Sequence, residues 1–132
     1  MDFTETQAIY QQVADHVCEM ILTGSWPESD RIPSVRELAM DLQVNPNTVN
    51  KAYAYLQDRN VIHNQRGIGY FVSDDGETTT RQIKREEFVT HDLPRVFRTM
   101  DLLGITIDDL SEYLRHYRAD AGNAPANGEG VN

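Results

Sequence analysis

Residues 31–72 read RIPSVRELAMDLQVNPNTVNKAYAYLQDRNVIHNQRGIGYFV, and the rest of the chain is understood from this stretch outward. Ser34, followed three residues later by Glu37, has the spacing of a capping box. In that motif the hydroxyl accepts from an early helical N–H and the carboxylate reaches back to the cap amide. A helix is predicted to begin there, with Val35, Leu38, Ala39 and Leu42 recurring on one buried face. Asn45 is a second N-cap, and Pro46 takes the first helical position, where a missing N–H costs no helical hydrogen bond. Only Gln43 and Val44 separate the two helices, which is the spacing of a helix-turn-helix.

In the second helix Val49, Ala52, Tyr53 and Leu56 form a stripe that must face a core. At about 100° per residue, Asn47, Asn50, Lys51 and Ala54 then occupy the opposite face. Amides pair with the donor and acceptor of adenine in the major groove, lysine reaches guanine or phosphate, and alanine permits close approach or touches a thymine methyl. An isolated helix with such a face is more often simply solvated, so the weight rests on the whole unit. After it, Val61 and Ile62 and then Tyr70, Phe71 and Val72 are β-prone, separated by a tip containing Arg66, Gly67 and Gly69. That is a hairpin with glycines available for positive φ. Arg66 has no core to enter, and a wing carrying it into a minor groove or onto a phosphate is the functional reading.

The order of residues from Arg31 to Val72 resembles the winged helix-turn-helix domain of the GntR family of bacterial transcription regulators. The run Asn45-Pro46-Asn47-Thr48-Val49 with Lys51-Ala52-Tyr53, and the short tail beyond, are similar to its small YtrA-type subfamily. The resemblance implies roles residue by residue. Arg36 matches an arginine of the motif's first helix that contacts DNA, Asn47, Thr48 and Asn50 match base- or phosphate-contacting positions, and Arg66 and Gly67 match the wing tip. With Ser34 and Lys51 these make the candidate DNA-binding set. Many relatives have arginine where this chain has Pro46 and Asn50, so their operator preferences do not carry over.

The 132 residues suffice for one good domain and a small appendage. One cysteine, Cys18, excludes an internal disulfide, and the first residues lack the basic and apolar runs of a secretory signal. No segment approaches 18 consecutive apolar residues, so no spanning helix or membrane partner is expected and a cytoplasmic location is. The net charge of −9 argues against DNA binding only as an average. Residues 31–72 carry five basic side chains (Arg31, Arg36, Lys51, Arg59, Arg66) against three acidic ones (Glu37, Asp41, Asp58), a local balance of +2. Acid elsewhere can orient such a module on a polyanion while limiting non-specific affinity.

Before this stretch, a helix is expected from Thr4 to Thr23, with Ile9, Val13, Val17, Met20 and Ile21 as its stripe and Gly24 as its stop. Residues 1–75 are assigned to the winged domain, 76–118 to a C-terminal helical hairpin that dimerises, and 119–132 to a disordered tail. Ser73 to Thr80 is read as a polar hinge. Beyond it runs a long helical segment ending at Gly104, which Pro94 should kink or divide near Leu93. Thr106 and Asp109 form another capping-box pair. So small a hairpin cannot bury both apolar faces within itself, and Phe88, Phe97, Leu103, Leu110 and Leu114 are expected to associate with a second subunit. Folding back onto the winged domain of the same chain is the alternative.

The expected architecture is therefore mainly α with a small β-hairpin wing. The expected function is a homodimeric, sequence-specific regulator, a repressor on an inverted-repeat operator in double-stranded DNA; the resemblance adds a transporter operon as its target. A winged-helix protein-interaction module is the alternative. An enzyme is not expected: His16 and Cys18, two apart, do not share a helix face, and His63, His91 and His116 fall on separate elements. No cofactor or metal is implied. There is no room for a large ligand domain, so any small-molecule effector would use a small cavity beside the hairpin or the dimer seam.

Overall fold

The computed structural model describes residues 7–122. Helix α1 (Ile9–Leu22), α2 (Val35–Leu42) and α3 (Pro46–Asp58) precede an antiparallel hairpin of β1 (Ile62–Gln65) and β2 (Gly69–Val72). Helix α4 (Gly76–Glu87), a π turn (Phe88–Asp92), α5 (Leu93–Leu103) and α6 (Ile107–Gly122) follow. The chain divides into two compact units between Glu86 and Glu87.

The first unit is a winged helix. Helix α3 is its centre, because both α1 and α2 pack on it and β1 follows it closely. Val49, Ala52, Tyr53 and Leu56 are buried, the stripe expected from their spacing. They meet Val13, Val17 and Ile21 of α1, Leu38 and Ala39 of α2, and Val61, Ile62 and Val72 of the hairpin in one core. Helix α1 begins at Ile9, and the Thr4 at which it was expected to start lies outside the described residues. Its buried face also differs from the expected stripe: Ala14 and Cys18 are inside, whereas Ile9 is 55% exposed. Gly24, at φ +82°, stops it as expected.

The hairpin pairs Ile62 with Val72 and Gln65 with Gly69. A third extended piece joins its edge, unforeseen in the sequence. Arg31 bridges to Phe71, Ile32 N–H donates to the Tyr70 carbonyl at 2.9 Å, and Val72 N–H donates to the Asp30 carbonyl at 2.9 Å. Three residues are too few to show a strand period, so the pattern could not reveal it.

The polar hinge expected at 73–80 is instead the start of α4, and residues 76–86 belong to the winged unit. A Cβ on Gly76 would stand 2.6 Å from Val72 Cγ1 and 2.9 Å from the Val61 carbonyl oxygen, so this glycine marks a close approach and not a flexible joint. Thr80 is fully buried, Ile83 packs against the core, and Lys84 Nζ pairs with Asp15 Oδ1 at 2.7 Å. Ser29 Oγ donates to Asp74 Oδ1 at 2.7 Å, and Glu77 N–H donates to Glu28 Oε2 at 3.2 Å. Composition suggested a linker because most of these tethers use polar side chains.

In the second unit Pro94 divides the helical path as expected. It occupies the first turn of α5, directly after the π turn. Proline removes the donor that would reach four residues back and its ring crowds that carbonyl, so a widened turn relieves the clash. Gly104 closes α5 at φ +72°, with Ile105 N–H donating to the Met100 carbonyl at 2.9 Å. The Thr106–Asp109 box opens α6, its two bonds 3.0 and 3.1 Å long. Helix α6 runs to Gly122, so residues 119–122 of the expected disordered tail are helical; the rest of that tail lies outside the described residues.

Tyr53 supplies a test of the core. Its hydroxyl donates to the Pro33 carbonyl at 2.7 Å, and burial raises its pKa well above the ordinary 10.0. Tyr53→Phe should therefore lower unfolding free energy by about 1 kcal/mol at neutral pH. Because the folded value lies above the unfolded one, the native phenol's contribution is complete below about pH 10 and is lost as pH rises beyond it. Urea unfolding from pH 7 to 11 should show an alkaline decline in the native chain that is shallower in Tyr53→Phe.

Candidate nucleic-acid interface

Two caps set the directions of α2 and α3. Ser34 Oγ accepts from Glu37 N–H at 3.1 Å while Ser34 N–H donates to Glu37 Oε1 at 2.8 Å, completing the predicted box. Asn45 Oδ1 accepts from Asn47 N–H at 2.8 Å, with Pro46 inside the first turn of α3. Between them the chain reverses at Gln43, which sits in the left-handed region at φ 57°. Val44 N–H then donates to the Ala39 carbonyl at 3.0 Å, so the reversal is a closed helix end and not a loose loop.

This geometry exposes Asn47, Asn50 and Ala54 on α3 and leaves Thr48 half-buried. Arg36 is exposed on α2 and lines an apolar groove of about 460 Å³ with Ala39, Met40, Val44 and Pro46. Arg36 and the start of the recognition helix thus share one surface. Arg66 is exposed at the tip of the hairpin beside Gly67, whose φ of +77° suits glycine.

Lys51, expected to reach guanine or phosphate, is exposed on α3. Its ammonium lies 4.5 Å from the centre of the Tyr10 ring, and that ring meets Tyr55 edge-on at 5.9 Å. The cation is thus held toward α1. Arg59 stacks 3.6 Å over Tyr55 further along the same side.

Arg81, Lys84, Arg95 and Arg115, all beyond the wing, are paired with Glu77, Asp15, Asp92 and Glu112 at 2.6–2.8 Å. Arg31, Arg36 and Arg66 form no ion pair among the described residues, which leaves their charge available to a polyanion. Arg31 was counted as a charge in the sequence but not singled out. Nothing in its spacing shows that the fold lays it against the wing. Among the described residues no group of histidine, cysteine and carboxylate side chains could hold a metal.

The second unit presents its apolar side chains outward. Phe88 and Phe97 are each 48% exposed, Leu103 68%, Leu110 36% and Leu114 44%, with Leu102, Ile107, Tyr113 and Tyr117 beside them in the sequence and also exposed. Only Met100 is buried among the described residues of this unit.

A family model for bacterial regulatory proteins of the gntR family matches residues 9–72. The chain is 31% identical over 127 residues to the HTH-type transcriptional repressor YtrA of Bacillus subtilis (strain 168), covering 96% of this chain and 97% of that one. Among solved structures, a GntR family transcriptional regulator from Listeria monocytogenes superposes with a TM-score of 0.72 at 28% identity, covering 88% of this chain and 98% of that one. A protein described as a putative regulator of the same family from Bacteroides thetaiotaomicron gives 0.70 at 38% identity, covering 86% and 99%.

The capping box makes its own prediction. Hydrogen bonds from Ser34, first from its backbone N–H and then from its hydroxyl, hold the Glu37 carboxyl below its ordinary pKa. A lowered folded value means that this contribution is present above the ordinary carboxylate range and is lost as pH falls through it. Ser34→Ala should lower the thermal midpoint at pH 7 and lessen its fall between about pH 5 and 3. An unaltered acid limb in calorimetry would show that the box is not coupled to folding.

Proposed function

The chain belongs to the GntR family of bacterial regulatory proteins, and from that premise we propose that it is a homodimeric repressor which binds an inverted-repeat operator. The observation that carries the reading is that Arg36 and Arg66 are exposed and uncommitted, as the amides of Asn47 and Asn50 on α3 are exposed. Helix α3 enters the major groove, where Asn47 and Asn50 read base edges, with adenine the natural partner of an amide. Thr48, Ser34 and Lys51 hold the backbone, and Arg66 with Gly67 reaches the neighbouring minor groove or its phosphates. Repression follows from occupancy, because a protein seated on promoter DNA excludes polymerase from it.

Dimerisation through the C-terminal unit follows from its apolar side chains. Burying a large one is worth roughly 1.5–3 kcal/mol, so Phe88, Phe97, Leu103, Leu110 and Leu114 from each subunit could hold a dimer. A two-fold axis would relate the recognition helices, which sets half-sites about one helical turn, or a multiple of it, apart. Its place of action is the cytoplasm, beside the DNA; no described helix is long and apolar enough to cross a membrane. The relative's name extends to repression and not to its targets. Control of a neighbouring transporter operon is our extension of the family resemblance, and a small-molecule effector would be sought in the second unit or at its seam.

A mobility-shift titration with the promoter of the chain's own operon tests the reading. Asn50→Ala should cost on the order of 1–3 kcal/mol on the operator and much less on random duplex, whereas Arg66→Ala should weaken both and, on a phosphate, lower the salt slope by about one unit. Equal losses for Asn50→Ala on both duplexes would make the amide a backbone contact.

Assembly is tested by sedimentation at micromolar concentration. The native chain should run as a dimer, and Leu103→Asp with Leu114→Asp should give a folded monomer that binds the two half-sites independently. A native monomer would overturn the dimer.

A further inference from the structure

Arg31 lies outside the helix-turn-helix and outside the hairpin, yet the fold brings it to both. Its backbone bridges to Phe71 of β2, and it stands three residues before Ser34, the cap of α2. Its guanidinium lies against the backbone of Gly69, where a Cβ would stand 2.9 Å from Nε and 3.2 Å from Nη2. Gly69 is itself at φ +147°, in the last pair of the hairpin before its tip. Toward α2, Arg31 is close enough to help stabilise the Glu37 carboxylate, after the Ser34 hydrogen bonds. The side chain remains exposed and makes no hydrogen bond or ion pair among the described residues.

In duplex DNA a single phosphodiester strand separates a major groove from the minor groove next to it. With α3 in one and the wing tip in the other, that strand must pass between them. Arg31 is held on that ground, between the start of α2 and the base of the wing tip. We propose that Arg31 is a further DNA-binding residue, a clamp on a phosphate of the strand between the two grooves, with Gly69 as the seat that positions it. The inference rests on the DNA-binding reading above. Such a contact adds affinity without sequence preference and fixes how far the wing reaches when the helix is seated. Gly69 is favoured there by its own backbone, at φ +147°, and its missing side chain leaves room for the guanidinium.

The test uses Arg31→Gln in the full chain, titrated by fluorescence anisotropy at several salt concentrations. The probes are a duplex selected by the native chain from a random pool and a scrambled duplex of equal length. Affinity should fall roughly five- to tenfold on both, and the slope of log affinity against log salt should shrink by about 0.9. The thermal midpoint without DNA should not move. Neutral methylphosphonate linkages placed singly along the selected duplex should then reveal a position between the two grooves that weakens the native chain and is silent in Arg31→Gln. A loss confined to the selected duplex would make Arg31 a base reader, and an unchanged slope with a lower midpoint would make it a brace for the wing; either overturns the clamp. So does a set of linkages to which both proteins respond alike. Failure of the native chain to enrich any sequence would instead overturn the DNA-binding reading itself.

Discussion

The winged unit depends on one buried phenol. Tyr53 lies in the middle of α3 with no exposed surface, and its hydroxyl donates to the carbonyl of Pro33 at 2.7 Å, at the entrance to α2. Its ring meets that of Tyr70 in β2 edge-on, with centroids 4.8 Å apart. One side chain of the recognition helix thus touches the segment that leads into the supporting helix and the strand that carries the wing. Edge-to-face aromatic contact is directional, and a hydrogen bond in a low-dielectric interior is more so. Together they convert a hydrophobic collapse, which would tolerate many arrangements, into one angle between helix and wing. Phenylalanine would fill the same volume and leave the Pro33 carbonyl without that donor.

Periodicity made much of this fold legible. The stripes of α2 and α3, both capping boxes, the glycine ends at Gly24 and Gly104, and the break before Pro94 all depend on residues close in sequence, and each stands where its chemistry put it. What was hidden depends on approach between distant residues. Gly76 and three consecutive threonines have a linker's composition, and only the nearby Val61 carbonyl and Val72 side chain explain why they are helical and close-packed. The edge pairing of residues 30–32 with β2 likewise follows from where α3 delivers the hairpin. Among candidate site residues, Arg36, Asn47, Asn50 and Arg66 could be assigned to a surface because their neighbours are so plainly core. Lys51 was assigned to the same face, but helical angle alone could not show that an aromatic ring from α1 draws its charge aside.

Charge is organised on the same plan. The chain carries −9 overall while residues 31–72 carry +2, so the remainder carries −11. Four of the cations beyond Val72, Arg81, Lys84, Arg95 and Arg115, are paired with carboxylates, whereas Arg31, Arg36 and Arg66 are not. An acidic remainder lowers the average attraction of the chain to a polyanion, which leaves the basic side chains of residues 31–72 to supply it. It also keeps two such molecules from crowding non-specifically on DNA.

Residues 76–86 have a consequence for modularity. Because Gly76 fits beneath the hairpin, Thr80 is buried and Lys84 is tied to Asp15, the first turns of α4 are part of the DNA-reading unit even though they follow its last strand. The natural seam for exchanging sensory or assembly modules is therefore at Glu86–Glu87, not at the end of β2. A recombination event, or an engineered fusion, that joined a foreign module directly after Val72 would strip a layer from the core and expose β2, while one joined after Glu86 would inherit a finished surface.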